Sequence, residues 1–275
     1  MSGFNTLINI FICEDSIDGI FTAIYMAWEE GTSHTDISCI FDAKNSNYSF
    51  FETYTYVKAD YNISNKVIRS IQQKLGDYVY SIIFRVINSN EPSKASVVYH
   101  SLQKLFKHGK EYINNIHDKF IYDLFKIDRK VSNEAAFYRE IIRFNENASG
   151  LLLARIEPDN NIIYMLTDHF ADRLHCEDFV IYDIKRNFCY IHTANGKNMF
   201  YNDSDSGLYN KINSYSDYDI KCQKLWKSFF NSIAIKERIN PELQRNMLPV
   251  KYRKYLSEFN QIVVKKGIPP KDIIF

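Results

Sequence analysis

The sequence predicts an α+β fold, with a helical N-terminal half, an antiparallel sheet of about four strands and C-terminal helices. Three observations predict it. Apolar residues recur at helical spacing through much of the first half, as in Ile17, Ile20, Phe21, Ile24, Tyr25 and Trp28. From residue 139 the period shortens to two, with turn signals at Asn147-Ala148-Ser149-Gly150 and Arg186-Asn187. Finally, Pro241 and Pro249 stand where short helices can open. Two regions follow from this change of period: 1–130, mainly helical, and 131–275, mixed. They can also form one compact unit.

Leu7–Cys13 reads as a buried strand, and Asp15 or Ser16 can cap the helix that Gly31 ends. Residues 36–60 show no clear period and are expected to be loops or short pieces. A second helical run begins at Ser64 and carries Val67, Ile71, Leu75, Val79, Ile82, Ile83 and Val86 on one face, with Gly76 able to break it. Pro92-Ser93 opens a third helix to about His108, and a fourth is expected over Glu111–Leu124. Strands are then expected at 139–146 and 151–157, joined by the Asn-Ala-Ser-Gly turn. Alternation puts Leu151, Leu153, Arg155 and Glu157 on one face of the second strand. A helix at 162–174 follows, then a hairpin of Phe179–Ile184 with Phe188–Thr193. Residues 197–216 are rich in Asn, Ser, Asp and Gly and are expected to be a loop. Tyr218–Ile239 reads as a helix whose stripe Leu225, Trp226, Phe229, Phe230 and Ile233 is expected to be core. Short helices at Pro241 and Pro249 end near Phe259, and the tail Lys265–Phe275 is expected to be extended.

Hydrophobic content of 45% and charged content of 24% leave room for a core without disulfide or metal staples. The five cysteines, Cys13, Cys39, Cys176, Cys189 and Cys222, form no CxxC pair and give no zinc or iron–sulfur spacing. They read as reduced thiols of a cytoplasmic protein. The apolar patch Leu7–Cys13 is too short to span a membrane and has no basic flank before it, so no membrane association is expected. Neither a GxxxxGK[ST] nor a GxGxxG loop occurs, which argues against a nucleotide cradle of those types. No GxSxG elbow is present. Neither a cofactor nor a metal site is expected.

Chemistry-bearing side chains concentrate in Arg155–Asn161 and Asp168–Arg173. Glu157 and Asp159 flank Pro158 at the end of a strand. His169 and Arg173 sit at i and i+4, on one helix face. An acid/base or anion-binding site could use these four, with Arg143 and Arg155 nearby on the hairpin. A structural polar network is the competing reading. Asp183 is expected to shape its turn.

Charge is uneven. Residues 221–275 hold 12 Lys/Arg against 4 Asp/Glu, a local +8, while the whole chain carries +1. Arg238, Arg245, Lys251, Arg253 and Lys254 on short helices could track a phosphate backbone. Such contacts position a nucleic acid without reading its sequence.

The runs Ile156-Glu157-Pro158-Asp159-Asn160-Asn161, His169-Phe170-Ala171-Asp172-Arg173, Ile181-Tyr182-Asp183-Ile184-Lys185-Arg186 and Leu225-Trp226-Lys227 resemble those of the DUF4130-containing "probable DNA metabolism" proteins. So do Arg238–Arg245 and Leu248–Tyr252. The resemblance is strongest over 137–258. It implies a role in DNA repair or DNA metabolism, with DNA and a radical S-adenosylmethionine DNA repair protein as partners. Such proteins are usually encoded beside that enzyme, and some are fused to a uracil-DNA glycosylase-like domain. No catalytic residues carry over from the family. It usually has His at the position of Asn160, Met at Leu248, Arg at Lys251 and Trp at Arg253. The leading expectation is therefore a DNA-binding factor. The alternatives are a hydrolase or glycosylase-type enzyme with Glu157, Asp159, His169 and Arg173 as its site, and an adaptor that binds only protein.

Overall fold

A computed structural model describes residues 8–31, 35–39, 52–194 and 196–259. The chain comprises two compact units, Met1–Glu134 with Asp159–Ile162, and Ala135–Pro158 with Ile163–Phe275. The expected tail Lys265–Phe275 lies outside the described residues.

The first unit, expected to be mainly helical with one strand, holds more sheet than that. It contains a three-stranded parallel sheet in which β1 (Ile8–Cys13) lies between β2 (Thr35–Cys39) and β3 (Glu52–Tyr56). β1 matches its expectation: Phe11, Ile12 and Cys13 are buried, as a central parallel strand requires. β2 and β3 were hidden because their patterns are weak. In β2 the inward residues are Thr35, Ile37 and Cys39, only one of them strongly apolar. β3 reads Glu-Thr-Tyr-Thr-Tyr along a sheet edge. Residues 40–51 of that stretch lie outside the described residues.

Helix α1 (Ile17–Glu30) starts where the Ser16 hydroxyl accepts from the Gly19 amide at 2.9 Å. A Cβ on Gly19 would meet the Glu14 carbonyl oxygen at 2.5 Å, so this close strand-to-helix turn requires glycine. The long second run divides into α2 (Tyr61–Leu75) and α3 (Asp77–Ile87) at Gly76, whose φ of 90° no side chain favours. α4 (Lys94–His108) follows, and a 3₁₀ turn at Lys110–Asn114 takes the place of the helix expected from Glu111.

The next helix, α5, spans Lys119–Ile141. The Asp118 carboxylate starts it by accepting from the Phe120 and Ile121 amides. Its buried residues Ile121, Leu124, Ile127, Val131, Ala135 and Tyr138 continue at three- and four-residue spacing beyond the expected end at Leu124. The strand expected from 139 is therefore helix to Ile141, and β4 is only Phe144–Glu146.

The second unit holds a five-stranded mixed sheet rather than a four-stranded antiparallel one. Its order is β4, β5 (Leu152–Ile156), β6 (Phe179–Asp183), β7 (Phe188–His192) and β8 (Asn198–Asn202). The β4–β5 and β6–β7 pairs are antiparallel, as expected, but β5 and β6 are parallel. The physical reason is the helix between them: α6 (Ile163–Arg173) provides the crossover that parallel neighbours require. The stretch 197–216, expected to be loop, supplies β8 and α7 (Gly207–Ile212). Asp203 starts α7 by accepting from the Leu208 and Tyr209 amides and from the Tyr182 hydroxyl.

The C-terminal part comprises α8 (Asp217–Ile233), a 3₁₀ turn at Lys236–Arg238, α9 (Pro241–Met247) and a 3₁₀ turn at Val250–Tyr255. The α8 stripe is not core. Leu225, Trp226, Phe229 and Ile233 are 69, 42, 52 and 57% exposed, while Phe230 is half-buried and meets the Phe259 ring. Among the described residues, no helix is long and apolar enough to cross a membrane.

Candidate nucleic-acid interface

Strand β5 places one cation inside the second unit. Alternation puts Leu153, Arg155 and Glu157 on one sheet face. Leu153 packs there with Val180, Tyr182, Cys189 and Ile212. Arg155, the next residue on that face, is only 9% exposed. Its Nη1 donates to Asn213 Oδ1 at 2.8 Å, and its Nη2 donates to the Tyr215 hydroxyl at 2.6 Å and Asn145 Oδ1 at 3.2 Å. The guanidinium also lies 4.8 Å from the Tyr215 ring centre and 6.0 Å from that of Tyr255. All these partners are neutral, and no described carboxylate makes an ion pair with Arg155. Burying a cation costs several kcal/mol, roughly, unless charge compensates it. Neutral oxygens and ring faces offset only part of that cost.

Glu157 follows at the strand's end. Its Oε1 accepts from Lys254 Nζ at 2.7 Å and from the Tyr255 hydroxyl. Burial pushes the Tyr255 phenol well above its usual range, and the hydrogen bond to Glu157 pushes it further. Tyr255 therefore remains a proton donor at physiological pH. Tyr209 lies within the field of Arg155: burial raises its phenol and the guanidinium partly opposes the shift. Arg143, just beyond α5, donates to the Ile141 carbonyl at 3.1 Å and to Glu258 Oε1 at 3.0 Å. A cation there suits the carbonyl end of a helix.

These groups share a crevice of about 310 Å³, measured out to its open mouth, lined among others by Arg143, Arg155, Glu157, Lys251 and Tyr255. Nearly all of that volume is open mouth, so the crevice is much smaller than the usual small-ligand site. It suits one anionic group at the surface better than an engulfed base.

The structure thus brings expected catalytic Glu157 together with expected DNA contacts Lys251 and Lys254. The other expected residues fall elsewhere. His169 and Arg173 are exposed on α6; His169 makes an edge contact with the Phe170 ring, and neither residue forms a hydrogen bond or ion pair with a described residue. Asp159 belongs to the first unit, where its amide donates to Glu134 Oε1 at 2.8 Å. Asn160, at 7% exposed, donates its amide and its side-chain Nδ2 to Glu134 Oε2 at 2.9 and 2.6 Å. Its Oδ1 accepts from the Asn90 amide at 2.9 Å. Asn160 is therefore a structural tie. Arg238 and Arg245 are exposed. Arg253 donates to the carbonyls of Leu248 and Gln244 and lies 4.7 Å from the Phe259 ring centre, so it fastens the end of α9. Asp183 shapes its turn as expected, accepting from the Lys185 and Arg186 amides and pairing with the Arg186 side chain at 2.7 Å.

Tyr255, Tyr215, Asn145 and Asn213 were not singled out by sequence, since they are far apart along the chain and lie in no motif. The available signal was Arg155 itself, a cation inside the apolar run Leu151–Ile156. Among the described residues, no group of three or more His, Cys, Asp or Glu side chains could hold a metal ion. A family model, DUF4130, a domain of unknown function, matches residues 92–258. No curated protein matches the chain.

Proposed function

The chain belongs to the DUF4130 family, whose model covers residues 92–258, and from that premise we propose that it is a DNA-binding factor of DNA repair or DNA metabolism. The observation that carries the reading is Arg155, a buried guanidinium with neutral partners in an open crevice lined also by Arg143, Lys251 and a Glu157 that Lys254 neutralises. A phosphodiester supplies the compensating charge that the protein leaves out, and Arg is well shaped to receive it. Arg238 and Arg245, in the same C-terminal part of the sequence, are exposed and free of described ion pairs.

The resemblance adds a radical S-adenosylmethionine enzyme as working partner. This chain has no cysteine triad at cluster spacing, so the iron–sulfur chemistry would belong to the partner. The exposed Leu225, Trp226, Phe229 and Ile233 of α8 offer a partner protein apolar surface to bury.

Fluorescence anisotropy with labelled DNA across a salt series tests the reading. Affinity should fall as salt rises, with a log–log slope shallower by about 0.9 for each phosphate contact removed. The Lys251→Ala/Lys254→Ala variant should bind more weakly and with a shallower slope. Absence of binding at low salt would end the DNA reading and leave the adaptor.

A further inference from the structure

A second basic surface lies in the first unit. It is a broad basin of about 1390 Å³, measured out to its open mouth. Trp28 from α1, Lys74 from α2, Lys107 and His108 from α4, and Tyr112 from the 3₁₀ turn all line it, with Phe106 and Lys104. No carboxylate belongs to the lining. Lys104 is paired with Asp118, but Lys74 and Lys107 have no ion-pair partner among the described residues. Lys74 stands 5.8 Å from the Phe106 ring centre. The rings form two pairs. Trp28 meets Phe106 edge to face at 5.1 Å, and His108 stacks on Tyr112 at 4.8 Å with 23° between planes. His108 is exposed, so this stack reaches solvent.

We infer that this basin is a seat for single-stranded nucleic acid. Two kinds of group coincide there: cations for a phosphate backbone and ring faces for unpaired bases. That pairing is how strands are held without sequence preference, because every base has a π face. A duplex keeps its bases stacked internally and could use only the lysines. An acidic peptide could likewise use only the lysines. The basin is wide and shallow, unlike an enclosed small-molecule pocket, and fits a chain passing across it. The inference rests on the DNA reading for its ligand class, but on different residues.

The test exploits the two tryptophans. Trp226 is 42% exposed on α8 and can be replaced, so Trp226→Phe leaves Trp28 as sole indole reporter in the full chain. Titration with oligo(dT) should quench Trp28 fluorescence saturably and in parallel with anisotropy. Lys74→Ala/Lys107→Ala, both on exposed positions, should weaken the quenching titration at least fivefold and lower its salt slope by about 1.4. Binding by anisotropy with no change at Trp28 would overturn the basin while leaving the DNA reading intact. Loss of both signals would end both ideas. Equal quenching by a matched duplex, or by poly-L-glutamate at matched charge, would overturn the single-strand assignment.

Discussion

Glu134 and Arg155 are two buried charges treated in opposite ways. Glu134, 7% exposed, receives two backbone amides and the Asn160 side chain, so donors aimed at its oxygens compensate the carboxylate locally. Arg155, 9% exposed, receives two amide oxygens, a hydroxyl and two ring faces, none of them charged. The first arrangement is self-sufficient, and its effect is to hold Asp159–Asn161 in the first unit. The second leaves a guanidinium without a directly bonded counter-ion in the lining of a crevice. Burial and charge together thus do not identify a functional group. What separates the two is whether the protein completes the coordination itself.

Breaking the first region should produce the largest effect on folding. Glu134→Ala leaves three N–H donors of Asp159 and Asn160 without an acceptor, two of them on the buried Asn160. At about 1–3 kcal/mol for each buried unsatisfied group, a loss of about 3–4 kcal/mol is expected in urea unfolding. Salt-dependent DNA affinity of the folded fraction should not change. Arg155→Met should give the reverse pattern. Met preserves much of the apolar stem, and Asn145, Asn213 and Tyr215 reach solvent when released. Removing a buried cation without a counter-ion should therefore alter stability by no more than about 1 kcal/mol in either direction. DNA affinity should drop about tenfold. If Arg155→Met destabilised as severely as Glu134→Ala, with binding unaltered, the guanidinium would be a structural tie and the contrast would disappear.

The same contrast explains how much was legible beforehand. Ile17–Trp28, the break at Gly76 and the β6–β7 hairpin announce themselves because local periodicity and turn residues determine them. β2 escaped because Thr35 and Cys39 face inward where a pattern search looks for Val or Ile. The parallel pairing of β5 with β6 depends on α6 between them, which a strand-by-strand reading treats as an interruption. In the site, Arg155-Ile156-Glu157-Pro158-Asp159-Asn160 looks like one polar cluster, yet its members face different neighbours. Arg155 and Glu157 belong to the second unit, and Asp159 and Asn160 to the first. Their partners Tyr215, Tyr255 and Glu134 come from far along the chain, so no spacing reveals them. The α8 stripe carried a core-like period, yet Leu225, Trp226, Phe229 and Ile233 are exposed, and periodicity cannot tell a core from an interface.

A smaller effect should come from Glu157, which separates the binding reading from the enzyme reading. Glu157 is the carboxylate in the crevice lining, and Lys254 and Tyr255 hold it. Glu157→Gln removes the negative charge without altering shape. An ion pair this close to the surface contributes about 0–1 kcal/mol, so the melting temperature should shift little. DNA affinity should rise about two- to fivefold, with a steeper salt slope, because Lys254 is no longer neutralised. Unchanged binding together with loss of a turnover on DNA would instead make Glu157 a general base and sink the binding-only account.

The smallest expected effect extends the comparison to pH, using two aspartates of the second unit. Burial pushes the carboxyls of both Asp183 and Asp203 upward. At Asp183 burial wins over the opposing Arg186 cation, and the group ends above its ordinary value. At Asp203 the Leu208 and Tyr209 amides and the Tyr182 hydroxyl together outweigh burial, and the group ends below it. The signs therefore differ. Asp203 adds stability at pH values above the unfolded carboxyl value, about 3.9, and that contribution disappears as pH falls through its lower folded value. Asp183 acts oppositely: because its folded carboxyl binds a proton more readily than the unfolded one, its contribution grows as pH falls from its folded value towards about 3.9. Urea unfolding between pH 3 and 6 should show Asp203→Asn less stable at pH 6 and with a flatter acid limb than wild type. Asp183→Asn should steepen that limb. An unaltered acid limb in Asp203→Asn would mean that its three donors do not favour the charged form, and would weaken the premise that aimed donors are what complete a buried carboxylate here.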